Sequence, residues 1–361
     1  MRGGSLISFV CFAVSFSCAS SPAPGGAVAP AKPGSSDPTP PSQPTELVAP
    51  SADFDISDLQ ADATRVYWAH RGDRGIQSVA ITGGPVETVV PATDHPITSL
   101  ATDEGFLYWT GGRRAGTASA EELTGRPASE YAGHFEGFVA RLPKRGTARQ
   151  ELSSGRFEPA DVRVDGPSVY WVMVRRHEGT LVRLALGTES PSVVAHGKFA
   201  PGSLVVHGGL AYWVDPDRGP AVMMAKLAGE EPKKLAEGAP SNPVHPQRVA
   251  ADDLAVYWTD AGSSETGGAI VKVPVAAGDG SLLAEGLATP RGIAVADGFV
   301  YWVEKGTGAK NFHDGTLKKV PATGGAPVTI ASGLFAPDRV AIAGRGIVWT
   351  EVDGSVKVVA R

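Results

Sequence analysis

Cysteine is almost absent from this chain. The two present, Cys11 and Cys18, both fall within the first 18 of 361 residues. Everything after them therefore lacks a disulfide, a thiolate metal site and a cysteine nucleophile. Its stability must come from burial, which a chain of this length can supply. Charge of one sign is also lacking: 33 Lys and Arg against 38 Asp and Glu leave a net charge of −5. No basic block marks a nucleic-acid footprint, and no single-sign field steers a charged partner. Long hydrophobic runs are missing too. The stretch from Leu6 to Phe16 is too short to span a bilayer as a helix. There is no G-x-S-x-G elbow, no Walker loop, no dinucleotide fingerprint and no HExxH.

What the N-terminus does have reads as an export signal over residues 1–19. Arg2 supplies a positive start and Leu6 to Phe16 the apolar stretch. Two processing routes stay open. Ser17-Cys18-Ala19 offers small residues for ordinary cleavage. Cys18, followed by a Pro-rich tail, resembles the lipidated cysteine of bacterial lipoproteins, although Ser15 stands where Leu is usual. Residues 20–44 hold eight prolines among Ala, Ser and Gly. Such a segment buries too little apolar surface to fold and suits a semi-extended tether. The expected location is the cell envelope, as an outer-membrane lipoprotein or periplasmic protein, or outside the cell. Contact with a membrane is expected only through an N-terminal lipid.

Residues 45–361 repeat. Each of the seven tryptophans ends a short apolar-aromatic motif, as in Val66-Tyr67-Trp68 and Val300-Tyr301-Trp302, with Ile347-Val348-Trp349 a degenerate copy. Successive Trp residues lie 41, 62, 42, 45, 44 and 47 apart. A period of about 40–50 residues with aromatic strands indicates radial repetition of small sheets. The 45 Gly and 29 Pro suit many short strands and tight turns. Each unit reads as an inner strand, the Tyr-Trp strand, a third strand opening on Gly, and an outer strand. Neighbouring residues of a strand point to opposite faces, so Trp should pack on one neighbouring blade and Tyr on the other. The seventh unit stops at Arg361 without its outer strand. Glu46-Leu47-Val48-Ala49-Pro50 resembles the outer strand Glu87-Thr88-Val89-Val90-Pro91, and each begins 22 residues before a Trp. The expectation is an all-β, seven-bladed propeller of four-stranded antiparallel blades, closed by residues 45–50.

Tyr257-Trp258-Thr259-Asp260 matches the YWTD repeat of low-density-lipoprotein-receptor-type propellers. Leu287-Ala288-Thr289-Pro290-Arg291-Gly292-Ile293-Ala294 is similar to that family's link into the next blade. The resemblance covers residues 45–361 as a pattern and implies a propeller whose relatives often bind proteins. Only Asp215 and Asp260 fill the last motif position. His70, Gly111, Met173, Glu304 and Glu351 replace it elsewhere. Seven units also differ from the family's usual six, and receptor activity does not carry over.

Chemistry is expected on the face where loops enter the inner strands. Two long loops gather there, Gly111 to Gly137 and Glu304 to Gly315. Aligning the repeats places Asp58, Ser99, Asp161, Ser203, Arg248, Gly292 and Arg339 at the starts of the inner strands, with Arg291 and Asp338 beside them. These charged residues either pair across the channel mouth or hold an anionic small molecule or a partner's side chain. The histidines His134, His177 and His313 each precede an acid-Gly turn. Asn242, His245, Asn311 and His313 form a candidate set for one divalent metal, Ca or Mg. Gluconolactonase-type and virginiamycin-lyase-type propellers hold such a metal on this face, and Asn242 and Asn311 are the only asparagines here. The first expectation is a monomeric, non-catalytic binding propeller without a cofactor, taking a protein or cell-envelope component and no nucleic acid. The alternative is a metal-dependent hydrolase or lyase.

Overall fold

A computed structural model describes residues 43–51, 56–70, 75–92, 95–114, 135–175, 178–199, 201–215, 221–237, 245–275 and 280–361. Cys18, Asn242, His134, His177 and residues 20–42 of the expected tether lie outside them. Within the described residues, strands form seven four-stranded antiparallel sheets, the seven blades of a propeller. Their inner strands are, in chain order, Ile56–Ala61, Ile97–Thr102, Glu158–Asp165, Leu204–His207, Pro246–Ala251, Pro290–Ala296 and Val340–Ala343. Each Tyr-Trp segment is the second strand, from Arg65–His70 in blade 1 to Gly346–Thr350 in blade 7. The expected closure is present: Thr45–Val48 pairs antiparallel with Val356–Ala360, placing Glu46 opposite Lys357 and Val48 opposite Val356. It covers an edge that would otherwise be left unpaired.

The aromatic alternation determines the packing. Seven apolar clusters form, one per interface between blades. Tyr67 shares its cluster with Trp109, Tyr108 with Trp171, Tyr170 with Trp213, Tyr212 with Trp258, Tyr257 with Trp302, and Tyr301 with Trp349. At the seam Val348 stands in for Tyr, and Trp68 packs with Val348, Val356 and Val358 while Leu47 and Val48 cover them. All seven tryptophans are at most 2% exposed, so none forms an open aromatic cage.

Hydrogen bonds tie the same strands to their turns. The phenols of Tyr67, Tyr108 and Tyr257 donate to Asp62, Asp103 and Asp252, five residues earlier. Each of those carboxylates also accepts two backbone N–H groups of its turn. Burial and the adjacent carboxylate push all three phenols well above the usual tyrosine range.

In blades 5, 6 and 7 the last motif position latches the loop ahead of the inner strand. Glu304 accepts from Trp302 Nε1 at 3.1 Å and from the Ala288 N–H at 3.0 Å. Glu351 does the same with Trp349 and Phe335, and Asp260 accepts from the His245 N–H at 3.1 Å. Glutamate thus performs the task that aspartate performs in the matching repeat. These bonds also place the second-strand ends and the loops into the inner strands on one face.

Candidate functional site

Five inner strands begin with a bulge in register, between Ile56 and Asp58, Ile97 and Ser99, Pro159 and Asp161, Pro246 and Arg248, and Pro290 and Ile293. A bulge re-aims the side chain that follows it. Here it helps bring Asp58, Ser99, Asp161 and Arg248 to the central channel, together with Ser203 and Arg339. These six residues line a cavity of about 590 Å³ at the channel mouth. Asp58, Ser203, Arg248 and Arg339 also line a second cavity of about 280 Å³, so they form the waist between the two.

Most of this ring stitches one blade to the next. Asp58 accepts from the Leu100 N–H at 2.9 Å, Ser99 Oγ from the Val162 N–H at 3.3 Å, Asp161 from the Leu204 N–H at 2.7 Å, and Ser203 Oγ from the Val249 N–H at 3.3 Å. The series links blades 1 to 5. Arg339 joins blade 7 to blade 1 by donating to the Ser57 carbonyl at 2.6 Å. Gly292 joins blades 6 and 7: its N–H donates to the Asp338 carbonyl at 2.9 Å. A Cβ there would lie 2.7 Å from the Val340 nitrogen, so no side chain fits.

The two acids thus meet donors on every oxygen. Asp58 Oδ1 takes the Leu59 N–H, and its Oδ2 takes the Leu100 N–H and Ser99 Oγ. Asp161 Oδ1 takes the Val162 N–H, Ser99 Oγ at 2.5 Å and Arg163 at 2.6 Å, and its Oδ2 takes the Leu204 N–H. Burial pushes the Asp161 carboxyl above the usual range, Arg163 opposes that, and Asp58 adds to it. Ser99 touches both carboxyls but carries one hydroxyl proton.

Ionic pairing follows neighbours rather than crossing the channel. Asp161 pairs with Arg163, a residue not picked out from the sequence although it stands two positions along the same strand face. Asp338 pairs with Arg339 at 3.2 Å and lies 3.9 Å from Arg291. Arg291 also donates to Gln247 Oε1 at 2.7 Å. Arg248 is different. It is half-buried, and its guanidinium has no hydrogen-bond or ion-pair partner among the described residues.

Three of the four candidate metal residues, His245, Asn311 and His313, lie within the described residues. His245 gives its backbone N–H to Asp260, and its Nδ1 is buried without a partner. Asn311 is exposed in a left-handed turn at φ 51°. His313 stacks on Phe335 with ring centroids 4.1 Å apart. Among the described residues no three or more His, Cys, Asp or Glu side chains gather as a metal group. The Gly111-to-Gly137 segment is partly strand, with the backbone of Arg113 in register with that of Glu136 and Arg114 with Phe135, and residues 115–134 lie outside the described residues. The Glu304-to-Gly315 loop is a built turn, in which Asp314 accepts from the N–H and hydroxyl of Thr307, both at 2.8 Å.

No protein-family model matches the chain, and no curated protein matches its sequence. Solved structures do match in shape. YCF48 bound to a D1 peptide matches at TM-score 0.60 and 11% identity, over 90% of this chain and 96% of that one. A designed protein, Ika8, matches at TM-score 0.54 and 14% identity, over 85% and 84% of the two chains. A chain of a nidogen/laminin complex matches at TM-score 0.50 and 15% identity, over 79% and 97%. At these identities the likeness establishes the propeller fold.

Proposed function

We propose that this protein is an exported, envelope-tethered propeller that binds a protein or cell-envelope ligand through its loop-rich face, without catalysis of its own. The observation that carries the reading is the mouth cavity of about 590 Å³ at the centre of that face. It is large enough to take a side chain or a small polar group. Its walls are held by blade-to-blade hydrogen bonds, so binding would cost little ordering. Two of the similar structures are themselves complexes, of YCF48 with a D1 peptide and of nidogen with laminin. Residues 1–19 would direct export, Cys18 would carry the lipid, and residues 20–44 would form the tether to a propeller spanning 45–361.

The test is a photo-crosslinking amino acid at Thr98, which lines the mouth, with Ser281 on an outer strand as control. A discrete adduct in producing cells from Thr98 alone is the expected result. No adduct, or the same adducts from both positions, would refute the reading. Cys18→Ala should release the protein from the membrane fraction.

The alternative, a divalent-metal hydrolase or lyase, draws on the partnerless buried Nδ1 of His245. One stoichiometric Ca²⁺ or Mg²⁺ that raises the melting temperature, and that is lost in His245→Ala or Asn311→Ala, would replace the binding reading.

A further inference from the structure

We infer that Arg248 is the anchor for a carboxylate group of the ligand that enters the mouth cavity. The inference rests on the binding reading above and names the chemistry of its centre. Four arginines stand in or around the channel, and three of them have side-chain partners. Arg163 is bound to Asp161, Arg291 to Gln247, and Arg339 to Ser57 and Asp338. Arg248 has its backbone fixed, its N–H donating to Thr259 Oγ1 at 3.2 Å, while its guanidinium bonds to nothing among the described residues. Charged groups withdrawn from water are ordinarily paired. An Arg held half-buried at a waist, with its donors open, is a recognition group awaiting its acceptor.

The guanidinium calls for an anionic acceptor. The acids that share the cavity are bonded to other groups of the protein and not to Arg248. The planar fork of a guanidinium matches a carboxylate in a two-bond geometry. Arg248 lines both the mouth and the deeper cavity, so a carboxylate bound there would sit at the waist, with the rest of its molecule in the mouth. That carboxylate can be free, on a small molecule, or borne by a peptide at a side chain or chain end.

The test is a titration of the whole exported chain, followed by the NMR signal of the Arg248 Nε–H. The probes are N-acetylalanine, the α-amide of N-acetylaspartate with its side-chain carboxylate free, acetate, inorganic phosphate, and N-acetylalaninamide as the neutral control. Expected are saturable shifts with the carboxylates in the millimolar range, weakened by salt, and none with the neutral amide. A response to acetate as strong as that to the peptide-like probes assigns a small-molecule source, and a stronger one to the latter assigns a peptide source. Arg248→Lys should weaken binding at least about fivefold, and Arg248→Gln should abolish it, with melting unchanged because the guanidinium holds no partner. No shift with any carboxylate, or phosphate bound more tightly than all of them, overturns the inference. Failure here with a Thr98 adduct intact removes the anchor and leaves the binding reading. Carboxylate binding with no adduct does the reverse.

Discussion

Asp62 offers the sharpest test of how the blades are held together. It caps the turn of blade 1, accepting the N–H groups of Thr64 and Arg65 on Oδ1 at 2.8 Å each. Its Oδ2 takes the Tyr67 phenol at 3.0 Å and, from blade 2, the Lys144 ammonium at 2.6 Å. Burial alone would raise this carboxyl, but the Lys144 bond and the two backbone bonds outweigh it and bring it down to about 2 from 3.8. The folded value is depressed, so the stabilisation is present above the unfolded value and is lost as pH falls through the folded one. The full difference corresponds to about 2.4 kcal/mol, which solvent screening of this partly exposed group reduces to about 1–2 kcal/mol. Asp62→Asn keeps an amide oxygen for the turn and removes the charge. Urea unfolding followed by tryptophan fluorescence should show a deficit of about 1–2 kcal/mol at pH 7, roughly halved at pH 3 and nearly gone at pH 2. In a Lys144→Met background the deficit should shrink by about half or more. A deficit that is constant from pH 7 to pH 3 would refute the linkage argument, and an unaltered one in Lys144→Met would refute the inter-blade pair.

Removing residues 45–51 deletes the closing strand and uncovers the Trp68 cluster, so the melting temperature should fall by about 10 °C or more; an unchanged melt would show that the seam does not hold the ring. Asp161 has a folded value raised by burial, the opposite sign to Asp62. Its contribution therefore favours the native state at low pH and is lost as pH rises from about 3.8 through the folded value. Asp161→Asn should flatten that part of the stability–pH curve, and a curve parallel to the wild type would count against a carboxyl raised by burial. Gly292→Ala must push a Cβ against backbone 2.7 Å away, and should cost about 1–3 kcal/mol in urea unfolding. Trp302→Phe should cost about 1–2 kcal/mol more than Trp171→Phe, because only the Trp302 indole has an acceptor to lose; equal costs would mean the Glu304 latch is idle.

The fold was legible because its signals are local and repeated. A Tyr-Trp pair in a strand must present its rings to opposite faces, and burying both requires a neighbour on each side. The closing strand was legible because Glu46 and Glu87 stand at the same distance from their tryptophans. The bulges were not, since an extra residue in one strand shows only against its partner. Nor was the equivalence of Glu304 and Glu351 to the motif aspartate. The longer side chain reaches the indole of its own strand and a loop N–H sixteen residues earlier at once, and that reach depends on where the loop passes.

The site divides along the same line. Repeat alignment grouped Asp58, Asp161, Arg248 and Arg339, and all four line the mouth cavity, since equivalent positions in equivalent blades point to one axis. It did not show which of them are free to bind. Asp58 and Asp161 read as candidate ligand groups only while their partners are unknown. Those partners are backbone N–H groups 42 and 43 residues later, and a serine hydroxyl between them. Arg339 is committed to a carbonyl 282 residues away. Arg163 could have been found, because it follows Asp161 at a two-residue step and so shares its face. In a ring of like blades, structural and recognition residues occupy the same positions. What separates them is whether the next blade already supplies a partner, and by that criterion Arg248 differs from Asp58, Asp161 and Arg339 in having no side-chain partner among the described residues.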